Sequence, residues 1–206
     1  MTGIIDYGVG NLFSLRSSFG AIGEEAFVSG DPEALQKADR LILPGVGAFG
    51  DAAEKLKKSG LAEWICRWAE SGKPLMGICL GMQLLFEESE EYGLHQGLGL
   101  LQGRVVPMEG VLPKELKIPH IGWNALRLRQ KEHPLFKYLK EGDHVYFVHS
   151  FYAEGCEDSL AADTEYGAIL TAAVAKKNIM GCQFHPEKSG KVGLSILKAF
   201  TEINEL

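Results

Sequence analysis

Short apolar segments alternate with helix-like segments through the first half of the chain, and this alternation most constrains the fold. The segments 2–6, 40–44 and 74–78 are apolar runs of strand length, and the last of them lacks polar alternation. After Asn11, and again from Leu61, large apolar residues recur at helical spacing. Strands that alternate with helices in this way form βαβ units. We therefore expect an α/β fold with an open, mostly parallel or mixed sheet that carries helices on both faces.

The second half of the chain is richer in strand-like segments. Short strands interrupted by glycine and proline are expected between 97 and 128, and a longer strand is expected at 145–153. The segment 167–186 predicts a hairpin that turns at Lys177 and Asn178. We expect an irregular, β-rich second half.

Two further helices are predicted. The stretch LGMQLLFEESEE indicates a helix from Leu80 that ends at Gly93, and LSILKAFTEI indicates a final helix at 194–203. Since no linker, repeat or low-complexity segment divides the chain, a single domain over residues 1–206 is expected. The role of the mixed segment 107–118 is not indicated by its sequence.

Charge and cysteine content exclude several functional classes. The formal net charge of −6 over 206 residues argues against nucleic acid, which requires a basic surface. The four cysteines show no C-x-x-C spacing, so we expect free thiols in a reducing, cytoplasmic setting. No apolar run reaches the roughly 18 residues of a membrane span, and no metal site or cofactor is expected from the ligand spacing.

Cys79 has an unusual setting, because it stands between Gly77 and Gly81 where an apolar run becomes a helix. This layout matches the sharp strand-to-helix turn that exposes a catalytic nucleophile in other hydrolases. The amides at the start of the following helix would favour the thiolate, which is the reactive form. The alternative is an ordinary buried cysteine, which is our reading of Cys66 and Cys156.

A histidine and a carboxylate follow another apolar run, at His185 and Glu187. A thiol nucleophile needs a base, and the base needs a group that orients it. Pro186 biases His185 towards an extended backbone, from which Glu187 can reach the same side. If both strands end at one edge of the sheet, His185 can meet Cys79. The alternative for this short motif is a surface turn.

A glycine-rich turn at 44–50 is the candidate oxyanion hole, since fixed N–H donors stabilise the charge that develops during amide cleavage. A second turn, Gly8-Val-Gly10-Asn11, lacks the third glycine of a dinucleotide site, because Phe13 occupies that position. Gly190-Lys191 is followed by valine, so it is not a P-loop. The alternative for 44–50 is a plain tight turn.

Taken together, the segments 77–83 (GICLGMQ) and 184–187 (FHPE) resemble the class I, or triad, glutamine amidotransferases. The resemblance covers essentially the whole chain and implies a flavodoxin-like three-layer sandwich. Further segments are similar to one branch of the family, the glutaminase subunits of imidazole glycerol phosphate synthase. They are IDYGVGNL, LPGVGAF, PHIGWN and HPEKS.

The resemblance implies a role for each matching residue. Cys79 would attack the side-chain amide of glutamine, His185 would transfer protons, and Glu187 would orient His185. The implied oxyanion donors are the Leu80 amide and the peptide between Val46 and Gly47. The implied substrate contacts are Gly45, Gln83, His149, Ser150 and Phe151.

The resemblance also implies a partner. Ammonia would pass to a cyclase subunit, a (β/α)8 barrel, in a heterodimer that makes imidazole glycerol phosphate and aminoimidazole carboxamide ribotide for histidine biosynthesis. The implied contact residues are Asn11, Trp123, Asn124 and Lys188, although Trp123 could instead pack in the core. Three rival interpretations stay open: a glutaminase for another synthetase, of the anthranilate-synthase type; a non-catalytic module; and a stand-alone thiol hydrolase.

Overall fold

The computed structural model describes residues 1–204, and an eight-stranded mixed sheet forms its centre. The strands of the described chain are β1 (Thr2–Ile5), β2 (Ala26–Ser29), β3 (Arg40–Leu43), β4 (Leu75–Ile78), β5 (Glu88–Ser89), β6 (His95–Gln96), β7 (Arg104–Pro107), β8 (His120–Ala125), β9 (Arg127–Leu128), β10 (His144–His149), β11 (Phe151–Glu154), β12 (Leu160–Glu165), β13 (Ile169–Lys176) and β14 (Ile179–Cys182). The α-helices are α1 (Leu12–Ala21), α2 (Pro32–Leu35), α3 (Phe49–Lys58), α4 (Leu61–Glu70), α5 (Leu80–Gln83) and α6 (Gly190–Thr201). Short 3₁₀ turns lie at Met108–Gly110, Pro134–Phe136 and Pro186–Lys188.

The central sheet has the strand order β2-β1-β3-β4-β14-β13-β12-β9. The first five strands are mutually parallel, and the last three join by antiparallel pairing. The turn of the β13–β14 hairpin is at Lys177, as the sequence predicts, with a φ of 52°. The expectation of a mostly parallel, mixed sheet is therefore confirmed.

Two apolar cores flank the central sheet, because successive side chains of a strand point to opposite faces. On β3, Ile42 packs into one core together with side chains of α1 and α6. Its neighbours Leu41 and Leu43 pack into the other core, with α3 and α4. The fully buried strands β1, β3 and β4 thus carry helices on both faces, and this arrangement is the predicted three-layer architecture.

Two smaller sheets extend the β-rich half. One pairs β10 with β8, and the other has the order β11-β7-β5-β6. The predicted single strand over 145–153 is wrong, because the chain leaves one sheet after His149 and enters another at Phe151. Ser150 lies at the crossing, and its carbonyl accepts a hydrogen bond from the Met108 amide. The chain therefore passes from one of the smaller sheets to the other at Ser150.

The predicted helix from Leu80 to Gly93 is also wrong, since α5 ends after one turn at Gln83. The carbonyls of Leu84, Leu85 and Phe86 do not continue a helical ladder. They accept hydrogen bonds from the amides of the segment 98–101 instead. Their side chains are fully or almost fully buried, so tertiary packing overrides the helical spacing of the sequence.

Candidate active site

Cys79 lies at the sharp turn between β4 and α5. Its backbone has φ 55° and ψ −113°, outside the regions that ordinary L-residues occupy at low energy. Its amide donates to the carbonyl of Cys182 at 2.8 Å, which ties the turn to the neighbouring strand β14. A strained residue that is held in this way is typical of a functional position.

The two flanking glycines leave room for this turn. A Cβ atom on Gly77 would lie 2.5 Å from the carbonyl oxygen of Gly81. On Gly81 it would lie 1.8 Å from the carbonyl oxygen of Leu43. Neither distance is possible for a real carbon atom, so the predicted need for small residues on both sides of Cys79 is confirmed.

His185 stands at the same edge of the sheet as Cys79. The parallel strands β4 and β14 pair in register, with Ile78 opposite Cys182, so both chains leave the sheet side by side. His185 is extended, with φ −99° and ψ 100°, as expected before proline. Its Nδ1 atom is 2.8 Å from Oε1 of Glu187, and both side chains are almost completely buried. Since Nδ1 faces a carboxylate, Nε2 is the atom available to Cys79.

The surroundings of His185 favour its charged form. Burial lowers the pKa of the ring, but hydrogen bonds with Cys79 and Glu187, and the charges of both, outweigh burial and raise the pKa to about 9. The second oxygen of Glu187, Oε2, is buried with no donor among the described residues. The charge of this carboxylate is therefore balanced mainly by His185.

Gln183 is a further polar neighbour of the thiol. It is fully buried, and its Nε2 donates to Sγ of Cys79 at 3.7 Å. Its Oε1 accepts from Nε2 of Gln83 at 3.0 Å, and the same Nε2 is 3.1 Å from the carbonyl oxygen of Phe151. An amide donor fixed on the sulfur stabilises negative charge there. This donor adds to the amides of α5, which is only one turn long.

The glycine-rich turn after β3 faces the thiol. Gly45 lies against the start of α5, where a Cβ would be 2.7 Å from the amide nitrogen of Gly81. Gly47 has φ 95°, and a Cβ there would meet nothing within 4 Å. The hydroxyl of Tyr7 donates to the carbonyl of Pro44 at 2.7 Å. Burial raises the pKa of Tyr7, and the nearby Cys79 raises it further, so this hydroxyl stays a donor.

These groups surround a cleft of about 300 Å³. Its lining residues come from six separate parts of the chain. They are Val46, Gly47, Cys79, Leu80, Gln83, Glu91, Pro119, Val148, His149, Ser150, Phe151, His185 and Lys188. The structure thus brings most of the sequence-predicted site residues to one place. Gly45 is an exception, since it packs against Leu80 and Gly81 at the start of α5 and does not line the cleft.

Of the four residues predicted for partner contact, three lie outside the cleft. Trp123 is 52% exposed on β8, so core packing for this residue is wrong. Lys188 lines the cleft, with its Nζ 5.9 Å from the centre of the Tyr146 ring. Asn11 caps α1 by accepting from the Ser14 amide at 3.4 Å. Asn124 follows Trp123 on the same strand.

Three further observations describe residues 1–204 as a whole. All four cysteines are free thiols. No group of three or more His, Cys, Asp or Glu side chains in this part of the chain is arranged to hold a metal ion. The helices described are all too short or too polar to cross a bilayer.

Comparison with known families decides what kind of site this is. The family model described as glutamine amidotransferase class-I matches residues 4–203. The chain belongs to the class I glutamine amidotransferases. The predicted family and the predicted enzyme class, a glutamine amidotransferase, are thereby confirmed.

Curated amidotransferase relatives match over the full length. A protein of Sulfurimonas denitrificans named imidazole glycerol phosphate synthase subunit HisH is 51% identical over 209 residues, which cover 100% of both chains. A protein of the same name from Caldanaerobacter subterraneus subsp. tengcongensis is 52% identical and covers 98% of each chain. The predicted branch of the family is therefore confirmed.

Solved structures agree on the amidotransferase fold. A structure titled "Structure of PurLQS from Thermotoga maritima" has a TM-score of 0.76 and 21% identity, covering 97% of this chain and 96% of the other. One titled "Crystal structure of glutamine amidotransferase" has a TM-score of 0.74 and 20% identity, covering 97% and 98%. At this identity the likeness confirms the fold class.

Sequence reasoning missed several residues of this amidotransferase cleft. Glu91 escaped notice because the stretch 80–91 was expected to be one helix, which would have carried it away from Cys79. Gln183 stands two residues before His185 in the apolar run, and a buried amide in that position was a usable signal. Tyr7 and Pro119 stand in the family-like segments IDYGVGNL and PHIGWN, but those segments assign them no place in the cleft, and Val148 lies in no motif. Their positions depend on long-range packing.

Proposed function

We propose that this chain is a glutaminase that hydrolyses L-glutamine to L-glutamate and ammonia through Cys79, His185 and Glu187. The observation that carries the proposal is the meeting of these three side chains beside one cleft, in a chain that belongs to the glutamine amidotransferases. A nucleophile, a base and an orienting carboxylate are what acyl transfer from an amide requires.

The reaction begins when the Cys79 sulfur attacks the side-chain carbonyl carbon of glutamine. His185 takes the thiol proton and then gives it to the departing nitrogen, so that ammonia leaves and a glutamyl thioester remains. His185 next removes a proton from water, and the resulting hydroxide attacks the thioester. Collapse of this second intermediate releases glutamate and returns the thiol. Glu187 keeps the proton on Nδ1 and stabilises the imidazolium that forms twice in this cycle.

Two backbone amides are suited to the oxyanion of each tetrahedral intermediate. The Leu80 amide is the first of α5, where helical amides have no partner within the helix. The peptide between Val46 and Gly47 lies across the cleft. The positive φ of Gly47 and the open space around it allow this peptide to rotate its N–H towards the substrate. Once both N–H groups point at the oxyanion, they stabilise the transition state by several kcal/mol.

The far end of the cleft suits the amino-acid part of glutamine. Glu91 presents a carboxylate there, and its Oε2 accepts from the Phe49 amide at 2.6 Å. Burial raises the pKa of Glu91, while the Phe49 hydrogen bond opposes that rise. A substrate ammonium group beside it would favour the ionised carboxylate. Gln83 and the backbone of 149–151 supply further polar contacts.

We propose further that the ammonia is used by a partner. The curated relatives are named as subunits of imidazole glycerol phosphate synthase, which supports a cyclase subunit with a (β/α)8 barrel as the partner in a heterodimer. The barrel would receive ammonia and form imidazole glycerol phosphate and aminoimidazole carboxamide ribotide. Its proposed contacts are Asn11, Trp123, Asn124 and Lys188. An exposed tryptophan beside the cleft suits an interface anchor.

The proposed unit is one glutaminase domain over residues 1–206, working in the reducing cytoplasm. Its four free thiols are compatible with that setting. No cofactor enters the chemistry, because each proton and each bond in the cycle is accounted for by the side chains above.

The test is glutamate release from glutamine by the purified chain, alone and with a cyclase of this synthase plus its nucleotide ligand. We expect slow release alone and strong stimulation in the complex, because the Val46–Gly47 peptide must rotate before both oxyanion donors are in place. The Cys79→Ala variant should release none. Full-speed release by the isolated chain would contradict partner control, and release by Cys79→Ala would contradict the nucleophile.

A further inference from the structure

Gln183 is a polar side chain that the proposed cycle leaves without a role. It lies between the end of β14 and His185, and its side chain is fully buried. Its backbone amide donates to the carbonyl of Ala172 at 2.9 Å, so the position is fixed by the β13–β14 hairpin. Burying an amide costs free energy unless its polar atoms are hydrogen-bonded. The two polar atoms of this side chain must therefore have definite partners.

The hydrogen bonds of Gln83 fix which way the Gln183 amide points. Nε2 of Gln83 is 3.1 Å from the carbonyl oxygen of Phe151, which can only accept, and 3.0 Å from the Gln183 amide. Because that nitrogen is a donor, the Gln183 atom facing it must be the acceptor, Oε1. The opposite orientation of both amides would set two acceptor oxygens, of Gln83 and Phe151, against each other at 3.1 Å. Nε2 of Gln183 is therefore the atom that faces Sγ of Cys79, at 3.7 Å.

The N–H of Gln183 decides which side of the sulfur can carry the thiol hydrogen. A thiol hydrogen that pointed at this N–H would meet another hydrogen. The side towards His185, which hydrogen-bonds with Cys79, has no such conflict. The proton of the nucleophile is therefore held towards the base that removes it. After the transfer, Sγ accepts from Gln183 as well as from His185.

The charge of the thiolate has limited support from other sources. Cys79 is almost fully buried, and α5 has a single turn, so the dipole of this helix is small. His185 supplies the opposite charge. Burial lowers the pKa of its ring, but the hydrogen bonds and charges of Cys79 and Glu187 raise that pKa to about 9. Gln183 adds a second donor, and an N–H fixed on an anion inside a protein is stronger than one in water.

We propose that Gln183 is a fourth catalytic side chain, whose amide N–H stabilises the anionic sulfur of Cys79 each time that anion forms. The inference rests on the proposed glutaminase function for its consequence, whereas the contact with the sulfur does not depend on the substrate. The sulfur is anionic when His185 has taken the thiol proton, and again when the thioester breaks. Gln183 donates a hydrogen bond at both points and keeps its hydrogen, so the proton balance of the cycle is unchanged.

The pH dependence of alkylation at Cys79 tests this role without glutamine. Iodoacetamide reacts with the thiolate, and peptide mass spectrometry reads Cys79 separately from the other thiols. Gln183→Leu removes the N–H at similar side-chain size. On the acid side of the wild-type profile, we expect its alkylation to be about tenfold slower, the effect of one hydrogen bond to a charged group. At high pH the thiolate is fully formed in both proteins, so the two rates should converge.

Gln183→Glu separates a donor from a space-filling side chain. It keeps the size of glutamine and an acceptor oxygen for Gln83, but it sets a second oxygen against the sulfur of Cys79. A carboxylate repels a thiolate, so we expect the alkylation profile to move to higher pH by at least as much as in Gln183→Leu. If Gln183 only fills space, neither substitution moves the profile, and that result would overturn the inference.

Asn178→Leu is the matched control for a weakened hairpin. Asn178 precedes β14 at the end far from the cleft, and its buried Nδ2 donates to the carbonyls of Ala69 and Lys73 at 2.8 and 2.9 Å. Its replacement should lower the free energy of unfolding and leave the alkylation profile of Cys79 unchanged. A shift as large as that of Gln183→Leu would trace the effect to the hairpin and overturn the role of the donor.

Glutamine hydrolysis in the complex with the cyclase gives the second measurement. Gln183→Leu should lower kcat about tenfold near pH 7, and the loss should shrink as pH rises because the thiolate then forms without the donor. A loss of the same size at every pH would overturn the inference. If the wild-type complex releases no glutamate while the alkylation shift is present, the proposed function fails and the donor role of Gln183 stands. If hydrolysis proceeds while both Gln183 variants keep the wild-type alkylation profile, the inference fails and the function stands.

Discussion

At the scale of single residues, the site depends on a charged pair that is enclosed by protein. His185 and Glu187 are both buried, and the only donor found for Glu187 among the described residues is His185. Cys79 adds a second group that favours the imidazolium. This enclosure explains why two residues that look like a surface turn in the sequence belong to the interior.

Glu187→Gln should make the stability of the protein respond differently to pH. The folded pKa of His185, about 9, exceeds the ordinary value of 6.5. Its stabilisation is therefore fully present below about pH 6.5 and is lost as pH rises through about 9. The difference between the folded and the ordinary pKa of His185 corresponds to about 3 kcal/mol of stability, to which Cys79 and Glu187 both contribute. Chemical denaturation should show the largest loss for the variant near pH 6 and a much smaller one near pH 10. An equal loss at both values would contradict the ion pair.

Gly81→Ala should disrupt the nucleophile turn. The added methyl group would overlap the carbonyl of Leu43, and we expect a loss of about 3 kcal/mol or more in the free energy of unfolding. Gly20→Ala is the matched control, because it lies in α1 with nothing within 4 Å of the new carbon. That change should stabilise the protein by about 0.5 to 1 kcal/mol. Similar effects of the two substitutions would show that the turn tolerates a side chain.

At the scale of secondary structure, the alternating strands and helices of the first half could be predicted from the sequence. The strands of the second half could be predicted only in part. Strands such as β3 are buried on both faces, so their apolar runs have no competing interpretation. The helix expected from Leu80 to Gly93 failed because the segment 98–101 takes the carbonyls that a longer helix would have used. The spacing of apolar residues indicates which side chains are buried. It does not indicate which backbone groups will form hydrogen bonds with a distant segment.

The turn after β3 is the element on which the proposed oxyanion hole depends, and Tyr7 supports it. Tyr7→Phe removes the hydroxyl that donates to Pro44. We expect kcat for glutamine hydrolysis in the complex to fall about fivefold, as for the loss of one hydrogen bond, with iodoacetamide alkylation of Cys79 little changed. Tyr138→Phe is the control, because its hydroxyl donates to Glu202 at an exposed site. An equal fall of kcat in Tyr7→Phe and Tyr138→Phe would show that the effect does not come from the turn after β3.

At the scale of the whole molecule, the cleft is a product of the topology. The parallel register of β4 and β14 brings Cys79 and His185 together across 106 positions (185 − 79). The change of sheet after His149 brings Ser150 and Phe151 to the same place. The motifs around Cys79 and His185 were visible in the sequence, because sharp turns and triads need particular residue types. Glu91 and Val148 were not, because no local pattern marks a contact that depends on long-range packing.

Cys79 is the proposed nucleophile for the side-chain amide of glutamine, and the whole proposed activity depends on it. The other cysteines offer internal controls, since burial raises the pKa of Cys66, Cys156 and Cys182. A glutamine analogue that carries a diazoketone in place of the amide should alkylate the protein once. Peptide mass spectrometry should find the label on Cys79 alone, and an excess of glutamine should prevent it. Labelling of another cysteine, or labelling that glutamine does not prevent, would contradict the account.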